Sequence, residues 1–271
     1  MRPFTNQYYY RIIQLLKKLR CPSLTVRAFA ESRKRRAQGL FLQRCPTMMK
    51  TAIMVDGAFF IRRAKHIFGA LDPDQLANRL SRYACKHAEQ KGVPMYESLY
   101  RIFFYDCPPL QKKMQHPLTK KTIDYSKSDR TNWRRALHDV LRRTPKVALR
   151  LGTLDDMNCS WTISNDKIKK LCSNKIQISD LTEDDVTLNV KQKGVDMRIG
   201  LDIASMSYKQ QVQRIVLISG DSDFVPAAKL ARREGIEFTL DPMWAPIKQD
   251  LQEHIDRLKS VFPKPAPKAE S

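Results

Sequence analysis

Two parts of the chain place aspartates directly after short apolar runs. Asp56 follows 51–55, and Asp221 and Asp223 follow 215–219. Such runs suit strands buried on both faces, and the carboxyl ends of parallel strands meet at the edge where open α/β sheets bind ligands. Aspartate there also serves turns and helix starts. Carboxylates gathered from separate strands instead favour Mg²⁺ or Mn²⁺, which take hard oxygen ligands and leave positions for a substrate phosphate.

A third segment adds two further acids. A predicted strand at 186–190 leads into a predicted helix at 195–208, with Asp196 in its first turn and Asp202 further along. Six residues along a helix correspond to about 9 Å and roughly 240° of rotation, so only one of the two can bind an ion held by the strand ends. A βα junction would place Asp196 at the edge, which leaves Asp202 as a secondary candidate. Carboxylates collected there would repel one another unless a cation lay among them, so the pattern predicts a metal site.

Around these acids the sequence predicts a parallel βα framework. The stretch 214–240 is typical of a strand, an acidic turn, a helix with Asp223 as its N-cap and a second strand. Gly57 is expected to let the chain turn sharply after the first strand. Further predicted elements are helices at 74–90 and 131–142, strands at 96–105 and 147–151, and a segment of uncertain structure at 155–185.

The charge of the chain indicates a polyanionic partner. The 271 residues carry a formal net charge of +21, and residues 1–50 contribute 12 − 1 = +11 of it. A basic protein that also has an acidic cluster suits nucleic acid, with cations on the phosphates and acids on the metal. RNA is the expected partner, with DNA as the alternative. The cations predicted to lie nearest the cluster are Lys193, Arg62 and Arg63, and 111–143 is a further basic surface that could equally be a solvated lid.

Cysteine usage and hydropathy bear on the compartment. The six cysteines show no C-x-x-C pair and no histidine at zinc-ligand spacing, which is typical of reduced thiols in a cytosolic-type compartment. No apolar run approaches the roughly 18 residues that a membrane span needs. We therefore expect a cytoplasmic protein without a membrane partner.

The chain divides into three regions by composition. Residues 1–48 form a basic extension, 49–262 the folded domain and 263–271 a tail rich in proline and lysine. Three interpretations of the extension stay open: an organelle-type presequence, a nucleic-acid-binding arm, or translated sequence upstream of a start at Met48 or Met49.

Three stretches together resemble the NYN domains, in particular their LabA-like branch within the PIN-like nuclease superfamily. They are TAIMVDGAFF at 51–60, VKQKGVDMRIGLDIASMS at 190–207 and IVLISGDSDFVPAAKLARREGIEF at 215–238. The resemblance implies a three-layer α/β/α fold with a central, mostly parallel sheet, a Mg²⁺ or Mn²⁺ pocket and ribonuclease activity. Carried over to this sequence, the catalytic and metal-binding carboxylates would be Asp56, Asp196, Asp221 and Asp223. One departure is that many NYN domains have an asparagine two or three residues after the first aspartate, where this chain has Ala58 and Phe59.

The leading functional hypothesis is metal-assisted hydrolysis of phosphodiester bonds. The alternative is a regulatory nucleic-acid-binding or scaffold protein that keeps the pocket but has little turnover. A third hypothesis, a phosphatase of small metabolites, is weaker because a haloacid-dehalogenase-type enzyme needs a second aspartate two residues after the first, where this chain has Ala58. The sequence leaves open RNA against DNA, endonucleolytic against exonucleolytic cutting, one metal against two, and the oligomeric state.

Overall fold

A six-stranded parallel sheet forms the centre of the protein in the computed structural model, which describes residues 48–265. The strands are β1 (Thr51–Asp56), β2 (Leu99–Asp106), β3 (Lys113–Gln115), β4 (Thr122–Asp124), β5 (Val147–Leu151), β6 (Thr153–Ile163), β7 (Val186–Lys193), β8 (Arg214–Ile218), β9 (Glu237–Asp241) and β10 (Arg257–Leu258). The strand order in the central sheet is β10-β9-β8-β1-β2-β5, and every neighbouring pair is parallel. Two antiparallel hairpins, β3–β4 and β6–β7, lie outside this sheet.

Helices cover both faces of the sheet. Alternate residues of β1 enter two different cores: Met54 packs in the core that also contains Ile203, and Ile53 packs in the core that also contains Phe60 and Leu80. The predicted three-layer α/β/α fold is therefore confirmed. The helices are α1 (Gly57–Phe68), α2 (Pro73–Ala88), α3 (Met95–Ser98), α4 (Asp129–Arg143), α5 (Asn165–Cys172), α6 (Val195–Tyr208), α7 (Val225–Arg233) and α8 (Gln249–Glu253).

The layers follow from the hydrophobic pattern of each element. Strands β1 and β8 are apolar on both faces, as expected for central strands of a covered parallel sheet. Helices α6 and α7 contribute to the Met54 core, and α1, α2 and α4 contribute to the Ile53 core. Because β1 is paired with β8 on one side and β2 on the other, the ends of these three strands lie next to one another.

Most predicted boundaries lie within two residues of the observed ones, and two expectations are wrong. The stretch 96–105 begins with the short helix α3, and β2 starts only at Leu99. The predicted strand at 186–190 exists as β7, but it pairs antiparallel with β6 and does not join the central sheet. The residues of uncertain structure, 155–185, supply most of β6 and also α5.

Gly57 is required by close packing rather than by a turn of unusual backbone conformation. A Cβ atom at this position would lie 2.6 Å from the carbonyl oxygen of Tyr105 and 2.7 Å from the ring of Phe104. The absence of a side chain therefore lets α1 begin directly against β2.

The last part of the described chain contributes to the core. Phe262 is buried, and its ring centroid lies 4.3 Å from that of Tyr83. The interpretations offered for residues 1–48 fall on residues outside the described part, except for Met48, and most of the tail at 263–271 does too.

Within residues 48–265, none of the helices combines the length and the apolar character that crossing a membrane requires.

Candidate functional site

Asp56 ends β1 and at the same time caps α1. Its Oδ1 accepts a hydrogen bond from the backbone N–H of Phe59 at 3.1 Å, and its Oδ2 lies 3.4 Å from the hydroxyl oxygen of Ser219. Burial raises the pKa of the Asp56 carboxyl above its usual range, although the Phe59 N–H and the charge of Arg62 offset part of this effect. A carboxylate held in this way is fixed in position but poorly neutralised.

Asp221 and Asp223 lie just beyond β8. Asp221 caps a short 3₁₀ turn, Ser222–Phe224, and its Oδ1 accepts from the backbone N–H of Asp223 at 3.0 Å. The expected N-cap role of Asp223 is therefore wrong, because the turn intervenes before α7 begins. Asp223 is exposed, and its side chain is free of that capping role.

Ser219 joins the two strand ends, and the sequence did not single it out. Its buried hydroxyl lies beside Asp56 and accepts from the backbone N–H of Asp221 at 3.3 Å. The signal that could have found it is its place between the β8 run and the acidic turn. Its hydroxyl thus links the Asp56 carboxylate to the Asp221 backbone.

Asp196 reaches the same edge by a route that the sequence did not predict. The hairpin strand β7, rather than a strand of the central sheet, leads into α6 through Gly194, whose backbone is left-handed with φ of 79°. Asp196 is exposed, yet its carboxyl interacts electrostatically with three other acids. Desolvation first, and then the negative charges of Asp56, Asp221 and Asp223, raise the pKa of Asp196 to about 6.

The four acids therefore lie at one edge of the sheet, and we call them the carboxylate cluster: Asp56, Asp196, Asp221 and Asp223. Its oxygen donors suit a hard divalent cation, and its uncompensated charge would be relieved by one. Across residues 48–265, however, no three His, Cys, Asp or Glu side chains are gathered closely enough to form a ready-made metal site. The cluster fits a cation in chemistry and electrostatics, and binding one would require the side chains to draw together.

The predicted substrate-binding cations lie in three different settings. Arg62 is exposed and close enough to act electrostatically on Asp56. Arg63 points elsewhere, because its Nε donates to the backbone oxygen of Met243 at 3.1 Å. Lys193 forms an ion pair with Asp155 across the hairpin, with 2.6 Å between Nζ and Oδ2. Of the three, Arg62 is the one whose charge acts on an acid of the cluster.

Lys248, which follows β9, also approaches the cluster. The Nζ of Lys248 lies 3.2 Å from the hydroxyl oxygen of Ser222, the residue between Asp221 and Asp223. No spacing rule links position 248 to the SGDSDF stretch, so only the packing of the chain reveals this cation.

Asp202, the secondary candidate, serves a different contact. Its Oδ2 accepts from the hydroxyl of Tyr105 at 2.8 Å and lies 3.4 Å from Nε of Arg150. Burial, followed by the nearby charge of Asp202, raises the pKa of the Tyr105 hydroxyl. Asp202 therefore stabilises the packing of α6 against β2, away from the acids that act on Asp196.

Asp106, at the end of β2, is fully buried and paired. Its carboxylate accepts hydrogen bonds from Nε of Arg134 at 2.8 Å and from the backbone N–H of Cys107 at 2.8 Å. It also lies 2.7 Å from Nε2 of His138. Burial alone would raise the pKa of Asp106, but the hydrogen bonds from His138 and Arg134 and the charge of Arg134 outweigh it and lower the pKa.

The fold and site define an α/β/α protein with acids at the carboxyl edge of a parallel sheet, and one protein-family model matches part of the chain. Residues 135–257 match the model of the NYN domain family. This match supports an NYN domain in the chain, and through the PIN-like superfamily it suggests a nuclease. Asp196, Asp221 and Asp223 lie within the matched residues, whereas Asp56 lies before them and joins them through the pairing of β1 with β8.

One solved structure among those similar to this chain is that of a protein of unknown function from Vibrio parahaemolyticus. The two share 16% sequence identity and a TM-score of 0.43, with 81% of this chain and 96% of that chain covered. No curated protein matches the sequence.

Proposed function

We propose that this protein is a metal-dependent nuclease that hydrolyses RNA with Mg²⁺ or Mn²⁺, and that its domain is of the LabA-like branch. The observation that carries the proposal is the convergence of Asp56, Asp221 and Asp223 on Asp196. Burial first, and then the charges of these three acids, raise the pKa of Asp196 to about 6. A site that accumulates negative charge without neutralising it is suited to a divalent cation. The basic charge of the chain supports a nucleic-acid substrate.

In this proposal the carboxylate cluster would hold the metal, and a divalent ion bound there would supply activation of water and neutralisation of charge on the scissile phosphate. Phe59 N–H and Ser219 orient Asp56, and Asp223 N–H orients Asp221. Arg62, near Asp56, and Lys248, hydrogen-bonded to Ser222, would provide positive charge for the substrate phosphates. Protonation of Asp196 below about pH 6 removes one of the negative charges that bind the cation.

RNA and a reducing, cytoplasmic compartment are the finer parts of the proposal. Support for the compartment comes from Cys85, Cys107, Cys159 and Cys172, which are all free thiols. Support for RNA comes from the NYN resemblance, and the 2′-hydroxyl is the group through which a site separates RNA from DNA.

The test is cleavage by the full chain of labelled single-stranded RNA, single-stranded DNA and duplex, each with Mn²⁺, Mg²⁺ or EDTA. We expect cleavage of RNA with a divalent ion and none in EDTA. Asp221→Asn should abolish it, and Asp166→Asn should not, because Asp166 is exposed in the first turn of α5 and supplies the same change of charge. Undiminished cleavage in EDTA would exclude the metal mechanism.

One observation favours the regulatory alternative: the cluster lacks three side chains already spaced as ligands within residues 48–265. A regulatory nucleic-acid-binding protein would bind Mn²⁺ and RNA in the same assay and leave the RNA intact. Calorimetric titration with Mn²⁺ and gel analysis of the RNA from one sample separate the two functions.

A further inference from the structure

A cavity of about 520 Å³ lies beside the carboxylate cluster. Ala58 and Arg62 of α1 line it, two and six residues after Asp56, and Gln192 of β7 lines it, four residues before Asp196. Two of the chain segments that bound the cavity therefore continue directly into the cluster. Its volume falls within the range of about 300–1,000 Å³ that is typical of small-ligand sites.

The walls of this cavity combine apolar surface with positive charge. Ile61, Leu71 and Trp133 supply apolar surface, while the exposed side chains of Lys65 and Arg130 supply charge. The indole Nε1 of Trp133 already donates to the backbone oxygen of Leu71 at 3.0 Å. What Trp133 offers an occupant is therefore ring surface rather than a hydrogen bond.

A second cavity of about 370 Å³ adjoins the first and repeats its composition. The two share Arg130, Arg134, Val190 and Gln192, and the second contains an aromatic residue of its own, Tyr125. Arg134 is committed to Asp106, so Arg130 is the exposed shared cation. Trp133 lines the first cavity, Tyr125 lines the second and Arg130 lines both, and we call these three residues the base path.

We infer that these two cavities bind consecutive unpaired bases of a single-stranded nucleic acid, with the phosphate between them at Arg130. Every base has a face that can stack on an aromatic ring, and proteins that track single strands combine such rings with a cationic groove. The charge of Arg62, Lys65 and Arg130 complements phosphate. Paired bases cannot enter cavities of this kind, so the inference, which rests on the proposed function for its position beside the cluster, makes the substrate single-stranded.

The experiment measures binding in EDTA, where no metal-dependent cleavage can occur. The full chain is titrated into a fluorescently labelled hexanucleotide of RNA, the same sequence of DNA, and a duplex of equal length, with anisotropy as the readout. Single strands should bind tighter than duplex. RNA and DNA share the required chemistry, and the ratio of their dissociation constants shows which of them the path prefers.

Ala70→Phe tests the first cavity, because Ala70 is an exposed lining residue where an added ring would fill the space without entering the core. We expect its affinity for single strands to fall about tenfold, a change near the lower end of what the loss of one base stack produces. Ala136→Phe is the matched control, since Ala136 is exposed on α4 and lines neither cavity. Melting temperatures of both variants check that they fold.

Arg130→Gln tests the shared cation. Loss of one phosphate contact should lower the slope of log affinity against log salt by about 0.7 for a single strand. Arg233→Gln removes the same charge from the far end of α7, where Arg233 is exposed, and should leave the slope unchanged.

The outcomes separate this inference from the proposed function. If the parent cleaves RNA with Mn²⁺ while Ala70→Phe binds and cleaves like the parent, the base path is wrong and the nuclease stands. If Ala70→Phe loses single-strand binding but no variant or parent cleaves anything, the base path stands and the nuclease is wrong. Equal affinity of the parent for duplex and single strand overturns the inference.

Discussion

Asp56 and Asp106 end two neighbouring strands of one sheet, yet their surroundings are opposite. Asp106 is buried against Arg134 and His138, which lower its pKa, whereas burial raises the pKa of Asp56 and Arg62 offsets that only in part. Asp241, at the end of β9, resembles Asp106, because it lies 2.8 Å from Nε2 of His87 and accepts the backbone N–H of Met243 at 2.7 Å. A strand end thus positions an acid, and the helices packed beside it decide whether the acid is structural or remains available for a cation.

The sharpest test of this contrast is the stability of Asp106→Ala. The variant leaves Arg134 and His138 facing a buried space without their anion, and breaking a buried pair in this way costs about 3–5 kcal/mol. The free energy of unfolding in urea measures the effect. Asp223→Ala is the comparison, and it should unfold within about 0.5 kcal/mol of the parent because Asp223 is exposed and does not cap a helix or turn. Equal losses in the two variants would contradict the division into structural and available acids.

For an acid of the carboxylate cluster, we expect the main loss in cleavage rather than in stability. Asp223→Asn keeps the shape of the side chain and removes one charge of the cluster, so we expect the rate of RNA cleavage with Mn²⁺ to fall by about 100-fold or more, at least the loss that outer-shell changes cause at metal sites. Asp106→Asn should retain metal affinity in whatever fraction of it folds. Initial cleavage rates and calorimetric Mn²⁺ affinities, both normalised to folded protein, decide the point.

Asp202 offers an intermediate case on the same helix as Asp196. Asp202→Ala deprives the buried hydroxyl of Tyr105 of its acceptor and should cost about 1–3 kcal/mol of unfolding free energy, while Asp202→Asn keeps an acceptor and should cost less. Both should bind Mn²⁺ like the parent. If Asp202→Asn lost Mn²⁺ while Asp196→Asn kept it, the roles of the two acids would have to be exchanged.

The smallest effect is a pH dependence of opposite sign in the two regions. The pKa of Asp196 is raised from 3.8 to about 6, so its ionisation is less favourable in the folded state. The stability that it contributes in EDTA therefore falls as pH rises through that window, by about 1 kcal/mol once its solvent exposure is taken into account. Asp106, whose pKa is lowered, contributes stability above its ordinary pKa and loses it as pH falls through its folded value.

Unfolding at pH 4 and pH 7 in EDTA checks this sign. Asp196→Asn should be more stable than the parent at pH 7 and similar to it at pH 4, and added Mn²⁺ should stabilise the parent more than the variant. A variant that is less stable than the parent at pH 7 in EDTA would show that the cluster does not strain the fold.

The sequence by itself determined the layers, and it placed Asp56, Asp221 and Asp223 at the ends of two central strands. Short apolar runs such as 51–55 and 215–219 favour central strands of a covered sheet, because their side chains are apolar on both faces. The aspartates that follow them must then lie at its carboxyl edge. The helix at 195–208 was also predicted within its observed bounds.

Only the tertiary structure decided how Asp196 reaches that edge and which acids are neutralised. Strand β7 alternates like a sheet strand, and local patterning cannot tell the partner of a strand, so its pairing with β6 was missed. The residues of the Asp106–Arg134 ion pair are 28 positions apart in the sequence, and those of the Asp241–His87 pair are 154 positions apart. Ion pairs between residues so distant in sequence cannot be predicted from local spacing, because the packing of separate elements brings these charges together.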